Sequence, residues 1–218
     1  MEQEHQGSPV IVMLENSPDA RLLVELSSHA ADLVEAHNAL DLGVRSREEG
    51  SELADAGVYL IGFAVVAYCR TILHSKVRRC LTDHIAIPLE LVATHETVRL
   101  FRNATIAHSQ SDLSVTYPYG VLDRSTLQVR DVSAVTVNTP LPWTVVDQFQ
   151  KLLVALQDLL DDAIEPVRAR LEIDLMDTDR AAMVAMGAKP SVLSKLANEF
   201  NPRTKRPHFP NSHTLYWD

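Results

Sequence analysis

The feature that most constrains the fold is the apolar run from Ala56 to Cys69, closed on one side by Asp55 and on the other by Arg70. It is shorter than the roughly 20 residues that a bilayer requires, so it is expected to be a buried core helix rather than a membrane span. Gly57, Gly62, Ala64 and Ala67 within it would let a neighbouring helix come close, from the same chain or from a second copy. A helix buried in this way needs amphipathic partners, and the flanking sequence has the period to supply them.

Ser17-Pro18 reads as an N-cap followed by proline at the first helical position. Leu22, Leu23, Leu26, Ala30, Leu33 and Ala36 then continue at helical spacing to Gly43. Ser46 and Glu49 match a capping box, which predicts a second helix of roughly 35 residues running through the apolar core to about Leu81. Cys69 and Cys80 would both lie in it, about 16 Å apart and unable to bridge. Pro88 opens a third helical segment, Leu89 to about Ala107. The pattern changes at 112–137, where Leu113, Val115 and Tyr117, and later Val129 to Val137, alternate about a turn region of Pro-Tyr-Gly and Asp-Arg-Ser, predicting a β-hairpin. From Pro142 a helical face returns through Val145, Phe149, Leu152, Leu156, Leu159 and Ala163, until Pro166 kinks or restarts it. Two short helices are expected at Thr178–Met186 and Ser191–Phe200, then an extended basic tail. Residues 10–14 are either a docked strand or a tethered arm.

A chain of 218 residues with 46% hydrophobic residues, 7 Gly and 6% aromatics fits a mainly α protein with one core domain plus an extension. The opening residues, Met-Glu-Gln-Glu-His-Gln, have neither the basic nor the apolar region of a signal peptide, and a cytoplasmic location is expected. The net charge is -9, unevenly spread. Residues 1–60 hold twelve Asp and Glu against three Arg, whereas residues 61–130 hold eight Lys and Arg against five Asp and Glu. A locally basic middle is compatible with holding a polyanion in a cleft.

In that basic middle lies Leu100-Phe101-Arg102-Asn103-Ala104-Thr105-Ile106-Ala107-His108-Ser109. It resembles the signature of HEPN domains, in which four to six residues, the first usually polar, separate an Arg from a His. Five residues intervene here, and spacings within the permitted range recur from Arg78 and Arg79 to His84 and from Arg203 to His208; Asn103 and the position at a helix end before a hairpin set Arg102 and His108 apart. The resemblance, in particular to HEPN proteins of bacterial abortive-infection and toxin systems, covers roughly residues 17–173. It implies a HEPN-like up-and-down helical bundle at 16–173 with an inserted β-hairpin at about 112–137, followed by a C-terminal extension, 174–218, without a counterpart.

The implied activity is metal-independent RNA cleavage. A neutral imidazole at His108 can take a proton from a ribose 2′-hydroxyl, and the donor fork of Arg102 can stabilise charge on the scissile phosphate, with Asn103 orienting one or the other. Six positions at roughly 100° each place Arg102 and His108 about 120° apart on a regular helix. Either the helix ends before His108 or a second copy completes the site, and the family forms its cleft between two protomers, so a homodimer is expected. His95, Arg99 and Arg102 fall at i, i+4 and i+7, which forms either a phosphate-tracking, substrate-binding stripe or a solvated face paired with acidic residues of the first two helices.

Asp158, Asp161, Asp162 and Glu165 share a helical face, read as solvated rather than metal-binding. Arg203, Lys205 and Arg206 in the tail are read as solubilising. No glycine-rich phosphate loop, Cys-x-x-Cys or His-Glu-x-x-His occurs, so no cofactor or metal is expected. Two functions follow from the resemblance. One is a dimeric HEPN ribonuclease, a toxin or antiphage effector with RNA as substrate and an antitoxin or regulator as partner. The other is a non-catalytic HEPN-like dimer that binds nucleotide or RNA or regulates a partner.

Overall fold

Ser17 starts the first helix as its sequence suggests, the hydroxyl accepting the Ala20 N–H at 3.1 Å. Helix α1 spans Pro18–Arg45, α2 Gly57–Ile72, α3 Val92–Phe101, α4 Trp143–Met176 and α5 Arg180–Ala185. The strands are β1, Ser114–Leu122; β2, Val129–Asn138; β3, Ser191–Leu196; and β4, Ser212–Trp217. The computed structural model describes residues 9–107, 111–185, 190–203 and 207–218. The chain is mainly helical with two small sheets, and no helix among the described residues is long and apolar enough to cross a membrane. Residues 10–14 form no strand.

Two compact units are built from these elements: His29–Leu73 with Cys80–Leu160, and Met1–Ser28 with His74–Arg79 and Asp161–Asp218. In the first, the core is made by Leu33, Ala36 and Leu40 of α1, Ile61, Ala64, Val65 and Tyr68 of α2, Val98 of α3, and Val146, Phe149, Leu152, Leu153 and Leu156 of α4. In the second, Ala20, Leu26, Val167, Leu171 and Met183 are the buried apolar residues among those described, and Arg170 forks onto Asp19 with two bonds of 2.8 Å.

The long second helix does not form. Ser46 turns its hydroxyl back onto the Gly43 carbonyl at 2.7 Å, closing the end of α1 instead of capping a new helix. Gly50 then takes φ +76°, and the chain turns until Gly57. α2 stops at Ile72, because Leu73 is extended at φ -89°, ψ 145°. Cys80 therefore lies outside α2, and both cysteines are buried and free. The early turn brings the end of α1 against the start of α2. A Cβ on Gly43 would meet Ile61 Cγ1 at 2.7 Å, and one on Gly57 would overlap the Ser46 hydroxyl and lie 2.7 Å from its Cβ.

The hairpin forms with β1 and β2 antiparallel, Tyr117 opposite Val135 and Tyr119 opposite Ser133. Pro118, Tyr119 and Gly120 lie within β1, and the turn is made further on by Asp123, whose Oδ1 accepts the Ser125 and Thr126 amides, each at 2.9 Å. One face of the ribbon is polar, with Ser114 bonded to Asn138 and Thr116 to Thr136. α4 runs on through Pro166 to Met176 rather than restarting there. The expected helix at 191–200 is instead β3 followed by a short 3-10 turn, Ala197–Glu199, and β3 pairs in parallel with β4 of the tail. A short apolar run fits either period, and a partner about twenty residues further along decides for the strand.

Gly57→Ala is expected to destabilise the chain by about 1–3 kcal/mol, since the new methyl has nowhere to go between the two helix ends. Gly62→Ala, whose methyl would meet only Ile106 Cδ1 at 4.0 Å, should leave stability unchanged or raise it slightly. Urea unfolding of the two variants beside the wild type measures the difference.

Candidate functional site

α3 follows a 3-10 turn at Leu89–Leu91 that begins after Pro88, and it buries Val98 against the core. Regular helical geometry ends at Phe101. Arg102–Ile106 winds as a single π-helical turn, and the Ala107 N–H reaches back five residues to the Arg102 carbonyl at 2.9 Å. Single π turns of this kind recur at functional sites, because the wider turn re-aims side chains and disturbs the hydrogen-bond ladder. The 120° separation expected between Arg102 and His108 assumed a regular helix and does not apply to this turn. His108 itself lies outside the described residues, as do Lys205 and Arg206 of the tail.

Arg102 and Asn103 are half-buried neighbours on the π turn, and Arg102 Nη1 donates to Asn103 Oδ1 at 3.1 Å. The asparagine carbonyl thus holds one edge of the guanidinium plane. The Thr105 hydroxyl, also on this turn, is buried with no hydrogen-bond partner among the described residues. On the inner side the turn meets α2, where Ile106 packs 4.0 Å from the position of a Cβ on Gly62.

His95 and Arg99 are placed differently from one another. The His95 side chain is only 12% exposed, and its Nδ1 lies 2.6 Å from the hydroxyl of Tyr68, a wholly buried residue of α2. Its Nε2 faces the Glu96 carboxylate at 3.7 Å. Burial raises the Tyr68 phenol far above its ordinary range, so it keeps its proton. The consistent tautomer has N–H on Nε2, toward Glu96, and accepts the Tyr68 proton on Nδ1. Glu96 in turn accepts from Arg99 Nη2 at 2.6 Å and Nε at 3.1 Å. That hydrogen bond holds the Glu96 carboxyl below its ordinary pKa. A chain of polar contacts therefore runs Tyr68, His95, Glu96, Arg99. Within the stripe, Arg99 pairs with a carboxylate of its own helix rather than with an acidic residue of α1 or α2, while His95 bonds Tyr68 of α2.

Tyr68 also places its ring edge-on to Phe149, with centroids 5.4 Å apart, so α2, α3 and α4 meet at one phenol. Next to it, burial pushes the Cys69 thiol up to about 11 against the opposing pull of Arg102 and Arg99. Cys69 is inert as a nucleophile in that state. Tyr68 and Glu96 are the residues that sequence reasoning missed. The available signal was a hydroxyl in an otherwise apolar helix, which must find a partner once buried.

Among the described residues no three His, Cys, Asp or Glu side chains are grouped so as to share a metal ion. Glu165, from the acidic face of α4, pairs with Arg168 at 3.4 Å. Comparison with known proteins gives no match to any family model, curated protein or solved structure.

Burial is the main cause that pushes the His95 pKa below its ordinary value. The folded chain therefore holds His95 neutral, while the unfolded chain takes up a proton near pH 6.5. The stability contributed by the neutral ring is complete above that pH and is lost as pH falls toward the depressed folded value. In urea unfolding between about pH 7.5 and pH 5, the wild type should lose stability relative to His95→Gln. A difference between the two that stays constant with pH would count against this assignment.

Proposed function

We propose that the chain is a metal-independent endoribonuclease of HEPN type that acts as a homodimer. The observation that carries this reading is the pairing of Arg102 with Asn103 on a π-helical turn, at the start of the segment whose spacing resembles the HEPN signature. In this reading the neutral imidazole of His108 removes the proton of a ribose 2′-hydroxyl. The 2′-oxygen attacks phosphorus and the bond to the 5′-oxygen breaks, leaving a cyclic phosphate on one product and a hydroxyl on the other. The proton taken by the imidazole returns to the departing oxygen. Arg102, aligned by Asn103, stabilises the charge that gathers on the non-bridging oxygens. Arg99 lies one turn earlier and would follow the neighbouring backbone by exchanging Glu96 for a phosphate, whereas His95, two turns earlier and held between Tyr68 and Glu96, would position that stretch of α3 rather than touch the strand.

A second copy is supported by the outer face of α2. Tyr59 is 78% and Phe63 44% exposed, one turn apart, on the helix whose Gly62 meets Ile106 of the π turn. An apolar surface beside the motif is what a cleft shared by two protomers requires. The proposed setting is the bacterial cytoplasm, with a toxin or antiphage role and an antitoxin or regulatory protein restraining it. The commitment of Arg99 to Glu96 favours one further reading, a non-catalytic HEPN-like dimer acting as a nucleotide- or RNA-binding or regulatory interaction module.

One assay separates the two. Purified protein with mixed RNA and a chelator should cleave it, and Arg102→Ala and His108→Ala should each slow cleavage by about 10²–10⁴-fold. Cleavage unchanged in both variants rejects the site; no cleavage by any form favours the binding module. Phe63→Glu is expected to shift the wild-type dimer to monomer in sedimentation velocity and to lose cleavage with it.

A further inference from the structure

The unit formed by Met1–Ser28, His74–Arg79 and Asp161–Asp218 contains a cavity of about 490 Å³ that the ribonuclease reading does not use. Its walls come from three segments far apart in sequence. Asn16, Arg21 and Val24 belong to the start of α1 and the residues before it; Val77 comes from the basic loop between α2 and the 3-10 turn at Leu81–Asp83; His208 and Phe209 come from the tail. The volume lies in the range of ligand sites and well above what a small inorganic anion fills.

The polar groups in it are arranged around one cation. Arg21 Nε donates to Asn16 Oδ1 at 2.6 Å, which fixes the guanidinium plane, and among the described residues no carboxylate pairs with it. Glu25, the acid among the described lining residues, accepts from Arg79 Nε at 3.0 Å and from its backbone N–H at 3.3 Å, so Arg79 offsets its charge. Among the described residues the terminal nitrogens of Arg21 and the amide nitrogen of Asn16 have no acceptor, and the His208 imidazole lines the same wall. Phe209 is half-buried and puts an aromatic residue in the wall, and Val24 and Val77 supply apolar groups. A planar guanidinium prefers phosphate or carboxylate, and an aromatic ring between apolar side chains prefers a planar heterocycle. A simple aromatic acid would satisfy both but fill only part of the space.

We infer that this cavity binds a nucleotide, with its phosphate on Arg21 and its base on Phe209. The site is independent of the ribonuclease reading, and no phosphate-loop motif announces it because no single segment builds it. The same chemistry is offered by a free mononucleotide and by one unit of a single strand.

The experiment is titration of the full chain by calorimetry with AMP, adenosine, inorganic phosphate and a short single-stranded DNA. DNA lacks the 2′-hydroxyl that the proposed cleavage needs, so binding is read apart from catalysis. AMP should bind more tightly than adenosine or phosphate, and Arg21→Ala and Phe209→Ala should each weaken it at least tenfold. Both residues lie outside the hydrophobic core, and thermal unfolding of each variant checks that the fold is kept. Tighter binding of the oligonucleotide than of AMP would assign the site to a strand, and equal or weaker binding to the free nucleotide. Absence of binding at millimolar AMP, or binding unchanged in both variants, overturns the proposal. Loss of RNA cleavage in Arg102→Ala with AMP binding intact would show the two sites to be separate.

Discussion

A phenol hydroxyl with no access to water must find a hydrogen-bond partner, and in this chain that requirement ties the candidate site to the core. Tyr68 is wholly buried in α2, and its hydroxyl meets His95 of α3 at 2.6 Å while its ring packs against Phe149 of α4. An unsatisfied group there would cost about 1–3 kcal/mol, so α3 is held to α2 in one register. The π turn that carries Arg102 and Asn103 continues directly from α3 and inherits that register. Glu96 extends the constraint outward by accepting two bonds from Arg99.

The approach of α1 and α2 obeys a second constraint of a different kind, one of volume. Gly43 and Gly57 lie where any side chain would collide with Ile61 or Ser46. Close contact at that end lets Ala64, Val65 and Tyr68 sink into the core with complete burial. The other face of α2, with Tyr59 and Phe63, stays outside. One helix thus carries both the polar anchor of the site and an apolar surface beside it.

Much of this was legible in the residues. Ser17-Pro18 gave the start of α1, the apolar run gave α2, Pro88 gave the third segment, and the alternation of valines and tyrosines gave the hairpin. Ser46 misled, because the same hydroxyl that caps a helix start can close a helix end, and the sequence does not say which carbonyl or amide it will meet. The 191–196 strand was read as helix because its partner is non-local. At the site, Arg102 and Asn103 were visible from spacing. Tyr68 and Glu96 were not, since nothing in the order of residues says that a tyrosine in one helix will face a histidine in another.

The order of residues by itself determined that the chain is mainly helical, where most elements begin, and that Arg102 and Asn103 stand together at a helix end. These follow from local periods, caps and prolines, which act over a few residues. Only the tertiary structure decided the tautomer of His95, the engagement of Arg99, the π geometry of the motif, and the cavity gathered from the start of α1, a loop and the tail. Each of these depends on which groups are brought into contact once water is excluded, and hydrogen-bond satisfaction and close packing act across the fold rather than along the chain.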